Sequence, residues 1–205
     1  VFDAPGRSTF RHAEFGAYKA HRPRMAPQLV DQLPLIEKLV RAHNYPILRV
    51  PGVEADDVIG TLTQAALDAG HEVWIVSGDK DFAQLVGERV RLFDSTKEVV
   101  YDQERVFRRW GVRPEQFVDY LALVGDRSDN IPGVDGIGEK GAIALLRQFG
   151  TLDQSLAAPK ALMGRTGVLL AKNLDKALLS RSLATIRTDV VLPLSLDEMV
   201  LEAPT

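Results

Sequence analysis

The chain has 205 residues, 45% of them hydrophobic and 26% charged, which is ordinary for a folded protein with a sizeable core. It contains no cysteine, which excludes a disulfide framework and a zinc–thiolate site and fits a cytoplasmic setting. The net charge of −3 argues against a nonspecific polycationic nucleic-acid binder, and no apolar run approaches the ~18 residues of a membrane span. No signal peptide opens the chain.

Val1-Phe2-Asp3 reads as the end of a strand with an acid at its C-terminal edge, so an earlier part of that strand is expected before it. Residues 4–24 carry Arg7, Arg11, Lys19, Arg22 and Arg24 against the single acid Glu14, with Phe10, Phe15 and Tyr18 interleaved. That is the composition of a basic segment that tracks a nucleic-acid strand, or of a solvated surface loop. From Pro27 to His43, Leu29, Leu33, Ile36, Leu39 and Val40 recur at helical spacing, interrupted by Pro34. A short strand is expected over 46–50, a helix over 54–69, a buried-type strand over 72–77 and a short helix over 81–86. Strands over 90–94 and 99–102 follow, and the β-α alternation predicts a mostly parallel sheet flanked by helices. Beyond Pro114 the pattern is helical, over 114–124, 140–149, 152–157 and 168–185, and residues 190–205 look like a tail or linker.

Acids gather where ligands bind in such sheets, beyond the carboxyl ends of strands. Asp3 follows the first strand; Glu54, Asp56 and Asp57 follow the second; Asp79 and Asp81 follow the third. Asp126 and Asp129 arrive from the helical half, three residues apart on one turn. Each acid alone could be a helix cap or a turn former, but together they carry more negative charge than two divalent ions neutralise. Oxygen ligands without histidine or cysteine select Mg²⁺ or Mn²⁺, with some of the acids acting through water.

The stretch Gly133-Val-Asp-Gly136-Ile-Gly138-Glu-Lys140-Gly141 is a glycine-punctuated turn running into an apolar helix. Glycines let backbone amides approach a ligand, and a helix N-terminus offers unpaired N–H groups to phosphate. Residues 136–141 match G-x-G-x-x-G, but a proline-containing turn precedes them where the dinucleotide fingerprint needs a strand, and no Walker A Ser or Thr follows a Gly-Lys. An ordinary helix–hairpin–helix connection remains the plain alternative.

Glu54-Ala-Asp-Asp57, Ser77-Gly-Asp-Lys-Asp-Phe-Ala-Gln-Leu85 and Gly125-Asp-Arg-Ser-Asp-Asn-Ile-Pro-Gly-Val-Asp-Gly-Ile-Gly-Glu-Lys140 resemble the 5′-nuclease domain of bacterial DNA polymerase I and, more broadly, the flap-endonuclease superfamily. Phe2-Asp3, Phe10-Arg11 and Tyr18-Lys-Ala-His-Arg22 match in the same order, and the likeness runs from Val1 to about Pro193. It implies a PIN-like nuclease core over 1–113, a DNA-binding subdomain with a helix–three-turn–helix over 114–189, and a tail over 190–205.

The resemblance further implies that Asp3, Glu54 and Asp56 serve a first metal, and that Asp79, Asp81, Asp126 and Asp129 hold a second or its waters, with Asp57 bridging or supporting. Lys19 and Arg22 would contact the scissile phosphate and Tyr18 would stack on a nearby base. Gly133, Gly136, Gly138 and Lys140 would grip the duplex, with K⁺ at the turn. Two departures stand out: the family's earlier metal-ligating strand is not in the sequence, and Gly141 stands where the family usually has Thr.

The implied function is a monomeric, two-metal 5′→3′ exonuclease and flap endonuclease of replication and repair. It would act on flapped, nicked or branched DNA with no role for a membrane, and a polymerase domain could be covalently attached. The rival from another class is a non-catalytic, structure-specific DNA-binding module attached to a polymerase. The acids disfavour it, because a pure binding module gains nothing by repelling phosphate.

Overall fold

The computed structural model describes residues 1–4, 9–23, 25–157 and 165–201, so Arg7, Arg24 and the end of the expected tail lie outside the described residues. The chain divides into two compact units. One comprises Val1–Gly16, His21–His71 and Ile186–Thr205; the other comprises Ala17–Ala20 and Glu72–Thr185.

The first unit contains α1 (Phe10–Glu14), α2 (Pro27–Ala42) and α3 (Ala55–Asp68). Strands were expected over 1–3 and 46–50, and neither forms. A single backbone bond, from Phe2 N–H to the Leu48 carbonyl at 3.0 Å, joins the two segments. Pro46 and Pro51 bracket the second segment and have no N–H to extend a ladder.

α2 runs unbroken through Pro34, contrary to the expected interruption. None of its residues is buried, so its apolar spacing does not mark a core face here; Leu29, Ile36 and Leu39 are all exposed.

The centre of the first unit is ionic. Arg11 was expected in a strand-tracking basic segment, yet it is only 2% exposed. Its guanidinium donates from Nη1 and Nη2 to both oxygens of Asp57, each at 2.7 Å. The segment after the helical half closes over α3. Arg187 N–H donates to Asp57 Oδ1 at 3.0 Å, and Val190 N–H donates to Thr61 Oγ1 at 3.1 Å. Gly60 permits that approach, since a Cβ there would lie 2.5 Å from Ile186 Cγ2 and 2.6 Å from the Arg187 carbonyl. The expected tail is therefore anchored at its first residue, Val190.

The second unit is built on β1 (Val73–Val76), β2 (Val90–Asp94) and β3 (Val99–Tyr101) in the order β1-β2-β3. β1 runs parallel to β2, with Val73 opposite Val90, and β2 runs antiparallel to β3, with Leu92 opposite Tyr101. The sheet over the described residues is thus mixed and flanked by helices. β1 was expected as a buried-type strand but is one-sided: Ile75 is buried, whereas Trp74 and Val76 are 57% and 65% exposed. A 3-10 helix, Lys80–Leu85, turns from β1 back towards β2 and buries Phe82 and Ala83.

α4 (Gln103–Trp110) was not anticipated, because five of its eight residues are polar or charged and hide any apolar period. Its start and stop signals are nonetheless in the chain. The Asp102 carboxylate accepts Arg105 N–H at 2.8 Å, and Gly111 ends the helix at φ 75°.

The helical half comprises α5 (Phe117–Val124), α6 (Glu139–Phe149), α7 (Leu152–Ala157), α8 (Arg165–Lys172) and α9 (Leu174–Ala184). One helix was expected over 168–185, but α8 and α9 break at Asn173, whose amide donates to the Leu169 carbonyl in competition with the backbone. Phe117, Leu121, Leu123, Leu146, Leu170 and Leu183 are at most 1% exposed. Each such side chain is worth roughly 1.5–3 kcal/mol of burial. Asp119 joins this core by accepting Leu152 N–H at 2.9 Å, and burial raises its carboxyl above the ordinary carboxylate range.

Arg11→Met should destabilise the fold by roughly 3–5 kcal/mol at neutral pH in chemical denaturation, because it leaves the Asp57 charge buried without its partner. Burial alone would raise the Asp57 carboxyl, but the Arg11 guanidinium and the Arg187 and Glu54 backbone amides hold it below 3.8. Its stabilising contribution is present above that value and is lost as the pH falls through the lowered folded value. The gap between wild type and variant should therefore narrow below about pH 4.

Candidate active site

In the first unit the acids meet at the N-terminus of α3, where unpaired N–H groups favour negative charge. Asp3 Oδ1 accepts Ala55 N–H at 2.8 Å, and Glu54 is the N-cap residue. Glu54 is buried, with Oε2 3.2 Å from Arg11 Nη1, and Asp56 is half-buried on the first turn. Asp57, expected among the metal ligands, is a structural anchor. Oδ1 takes Arg11 Nη2 and Arg187 N–H, while Oδ2 takes Arg11 Nη1 and Glu54 N–H. A carboxylate holding four donors at 0% exposure has no free face for an ion.

In the second unit the end of β1 delivers Asp79 and Asp81. Asp79 Oδ1 caps the 3-10 helix by accepting Asp81 N–H at 2.9 Å. Asp126 and Asp129 sit on a closed loop. Asp126 and Ile131 exchange both backbone bonds, at 2.9 and 2.8 Å, and Val134 N–H reaches the Leu123 carbonyl. Gly125 (φ 78°) and Gly133 (φ 65°) form the neck, where a Cβ on Gly133 would lie 2.5 Å from Gly125 N. Ser128 steadies the acids, donating to Asp126 Oδ1 from its N–H and its hydroxyl, each at 2.7 Å.

These four acids feel one another. Asp81 is pushed up to about 6, first by burial, then by Asp79, Asp126 and Asp129, against the opposing pull of Lys80. Lys80, to which the sequence reading gave no role, bonds to Asp126 Oδ2 and lies 3.4 Å from Asp81 Oδ1. Asp81 Oδ1 is buried and has no hydrogen-bond donor among the described residues. An oxygen-only donor set under mutual repulsion fits a hard divalent cation. Among the described residues, however, no three acidic or histidine side chains stand close enough to ligate a single ion.

Lys19 has φ 51°, and its ammonium lies 3.5 Å from Asp129 Oδ2, so the expected phosphate contact begins from an ion pair. Arg22 is exposed in the first unit. Tyr18 is not a free stacking surface: it is 3% exposed, its hydroxyl reaches Asp129 Oδ2 at 3.4 Å, and Lys19 Nζ lies 4.9 Å from its ring.

Of the turn residues, Gly133 is corrected as well. It is buried and its N–H donates to Ser180 Oγ at 2.9 Å, so it closes the loop and offers phosphate nothing. Gly136, Gly138 and Lys140 are exposed at the start of α6, where Gly138 is the N-cap residue and a Cβ on it would meet open space.

Two family models cover the chain end to end: the 5′-3′ exonuclease N-terminal resolvase-like domain over residues 1–111 and the 5′-3′ exonuclease C-terminal SAM fold over residues 112–205. The chain belongs to the 5′-3′ exonuclease family. It is 36% identical to a 5′-3′ exonuclease of Aquifex aeolicus, over 100% of this chain and 69% of that protein. It is 45% identical to DNA polymerase I of Bacillus caldotenax over 97% of this chain, and spans 23% of that longer protein.

Among solved structures, bacteriophage T5 5′-exonuclease with bound zinc ions is 28% identical with a TM-score of 0.75, over 91% of this chain and 73% of that one. The T5 D15 flap endonuclease in a pseudo-enzyme–product complex with DNA and metal ions is 27% identical with a TM-score of 0.73, over 91% and 72%. The resolvase-like domain, the helical SAM fold and the mixed sheet flanked by helices agree with the expected PIN-like core and helical subdomain. No helix among the described residues is long and apolar enough to cross a membrane.

Gly133→Ala should cost roughly 1–3 kcal/mol from the positive φ alone, and more from the backbone clash, and should loosen Asp126 and Asp129. A thermal melt checks this; an unchanged Tm would show that the loop neck relaxes freely.

Proposed function

We propose that this chain is a structure-specific 5′ nuclease that hydrolyses DNA phosphodiesters near a 5′ end or flap junction and leaves a 5′-phosphate. The observation that carries the reading is the crowding of Asp79, Asp81, Asp126 and Asp129 within one unit of a 5′-3′ exonuclease chain, with Asp81 raised to about 6. Such a set favours binding divalent cations, Mg²⁺ or Mn²⁺, which would activate water and stabilise the leaving oxygen.

Asp79, Asp81, Asp126 and Asp129 would hold one ion or its waters, and Asp3, Glu54 and Asp56 the other, with Asp57 keeping Arg11 and Glu54 in place. Lys19 and Arg22 would contact the scissile phosphate and stabilise its developing charge. The exposed turn of Gly136, Gly138 and Lys140 would seat the duplex backbone at the start of α6, with K⁺ at the same turn. That contact sets register and reads no base, so the specificity is for structure. On this reading, 1–113 carries the chemistry, 114–189 grips the duplex and 190–205 links onward. The reading favours a monomer working in replication and repair, joined to a polymerase domain, as the length of the 45%-identical DNA polymerase I relative supports.

Asp79→Asn should lower cleavage of a 5′-flap substrate by roughly a hundredfold or more while leaving DNA affinity nearly unchanged. Full cleavage by that variant, or in excess chelator, would remove the metal reading; binding without cleavage in Mg²⁺ and in Mn²⁺ would favour the non-catalytic module. Lys140→Ala should weaken duplex binding and reduce the log–log salt slope by about one. An unchanged slope would show that the turn does not meet phosphate.

A further inference from the structure

The second unit holds a groove that runs from Asp79 and Asp126 to the end of α4. One cavity of about 420 Å³ is lined by Ser77, Asp79, Lys80, Lys97, Arg109 and Trp110. A second, of about 370 Å³, is lined by Arg109, Trp110, Lys80, Gly125, Asp126 and Arg127. Lys80, Arg109 and Trp110 belong to both, so the end of α4 stands where the two meet. Each cavity falls at the lower end of the ~300–1,000 Å³ range of small-ligand sites, which suits a single nucleotide and not a duplex.

The cations of this groove are not equivalent. Lys97 is paired with Asp94 at 2.6 Å, and Lys80 with Asp126. Arg108, the neighbour of Arg109, is paired with Glu104. Arg109 is exposed in the last turn of α4 and makes no ion pair among the described residues. Its guanidinium lies 5.6 Å from the Trp110 ring centroid. Trp110 is held rigidly, 5.4 Å from the Tyr101 ring and edge-on to Phe117 at 5.1 Å, yet it stays part-exposed and lines the groove. An uncommitted arginine beside a fixed aromatic plane is the pairing that holds unpaired nucleotides, by phosphate contact and by stacking that tolerates any base.

We propose that this groove seats one unpaired nucleotide of the 5′ arm of the substrate, with Arg109 on its phosphate and Trp110 against its base. This rests on the nuclease reading above and adds a contact for the single-stranded part of the substrate. It gives the enzyme a reason to prefer an unpaired arm over a blunt end, because a paired base cannot lie against Trp110.

The chain has two tryptophans, so Trp74→Phe leaves Trp110 as the sole indole reporter. In chelator, so that nothing is cut, a duplex with a 5′ oligo-dT arm should quench Trp110 fluorescence, and a blunt duplex of the same sequence should not. Adding Arg109→Gln should raise the Kd for the armed duplex roughly tenfold by anisotropy and leave the blunt duplex unaffected. Armed duplex bound by anisotropy with Trp110 emission unchanged, equal quenching by the blunt duplex, or an unaltered Kd in the Arg109→Gln variant would each overturn the seat while leaving the nuclease reading intact. Failure of both duplexes to bind at all would overturn both.

Discussion

Like charges cannot be gathered in a protein interior without something to hold them, and that constraint shapes both units. In the first, Arg11 is buried to bring Asp57 and Glu54 together, and Asp57 in turn anchors the backbone of Arg187. In the second, Lys80 stands against Asp126 and Asp81 while Ser128 and the loop amides hold Asp126 from the other side. Burial first, and then repulsion from Asp79, Asp126 and Asp129, pushes the Asp81 carboxyl up to about 6. A cluster built this way carries a cost in the folded chain that a nearby opposite charge would relieve.

The loop from Gly125 to Gly133 shows how backbone geometry serves that electrostatics. Two glycines with positive φ bring the ends of the loop into contact that no side chain would allow. Asp126 and Asp129 are therefore carried on a closed ring and not on a free turn. The same neck leads directly into the Gly136–Lys140 turn, so the acids and the candidate phosphate grip share one rigid segment of the second unit. Ser180 on α9 locks that segment through the Gly133 amide, which ties the helical half to the chemistry.

Several functional-looking residues turn out to have structural work. Tyr18 is buried against Asp129, Gly133 is a closure point, and Asp57 is an internal anchor. In each case the side chain or amide is engaged inside the fold, as the supporting role expected of Asp57 already implied. A conspicuous residue beside an active-site acid can be there to hold that acid. Lys80 and Arg109 carry the opposite lesson: one lay unassigned inside a quoted motif, and the other sits at the end of a helix whose polar composition concealed it.

What the sequence determined by itself was chemistry and order. The acids at the strand ends, the glycine spacing after Asp129 and the switch to helical periodicity at Pro114 are local facts, because turn residues, caps and apolar periods act over a few neighbours. Only tertiary structure decided which charges are paired and which are left over. Arg11 and Arg109 look alike in the chain, yet one is buried between carboxylates and the other is exposed beside an aromatic ring. That distinction depends on partners 46 residues away for Arg11 and on the mutual placement of α4 and the sheet for Arg109. Long-range contacts of this kind leave no period in the sequence, whereas the prolines that bracket 46–50 and the Asn173 amide that breaks the last helix act over a few neighbours and are written in the chain.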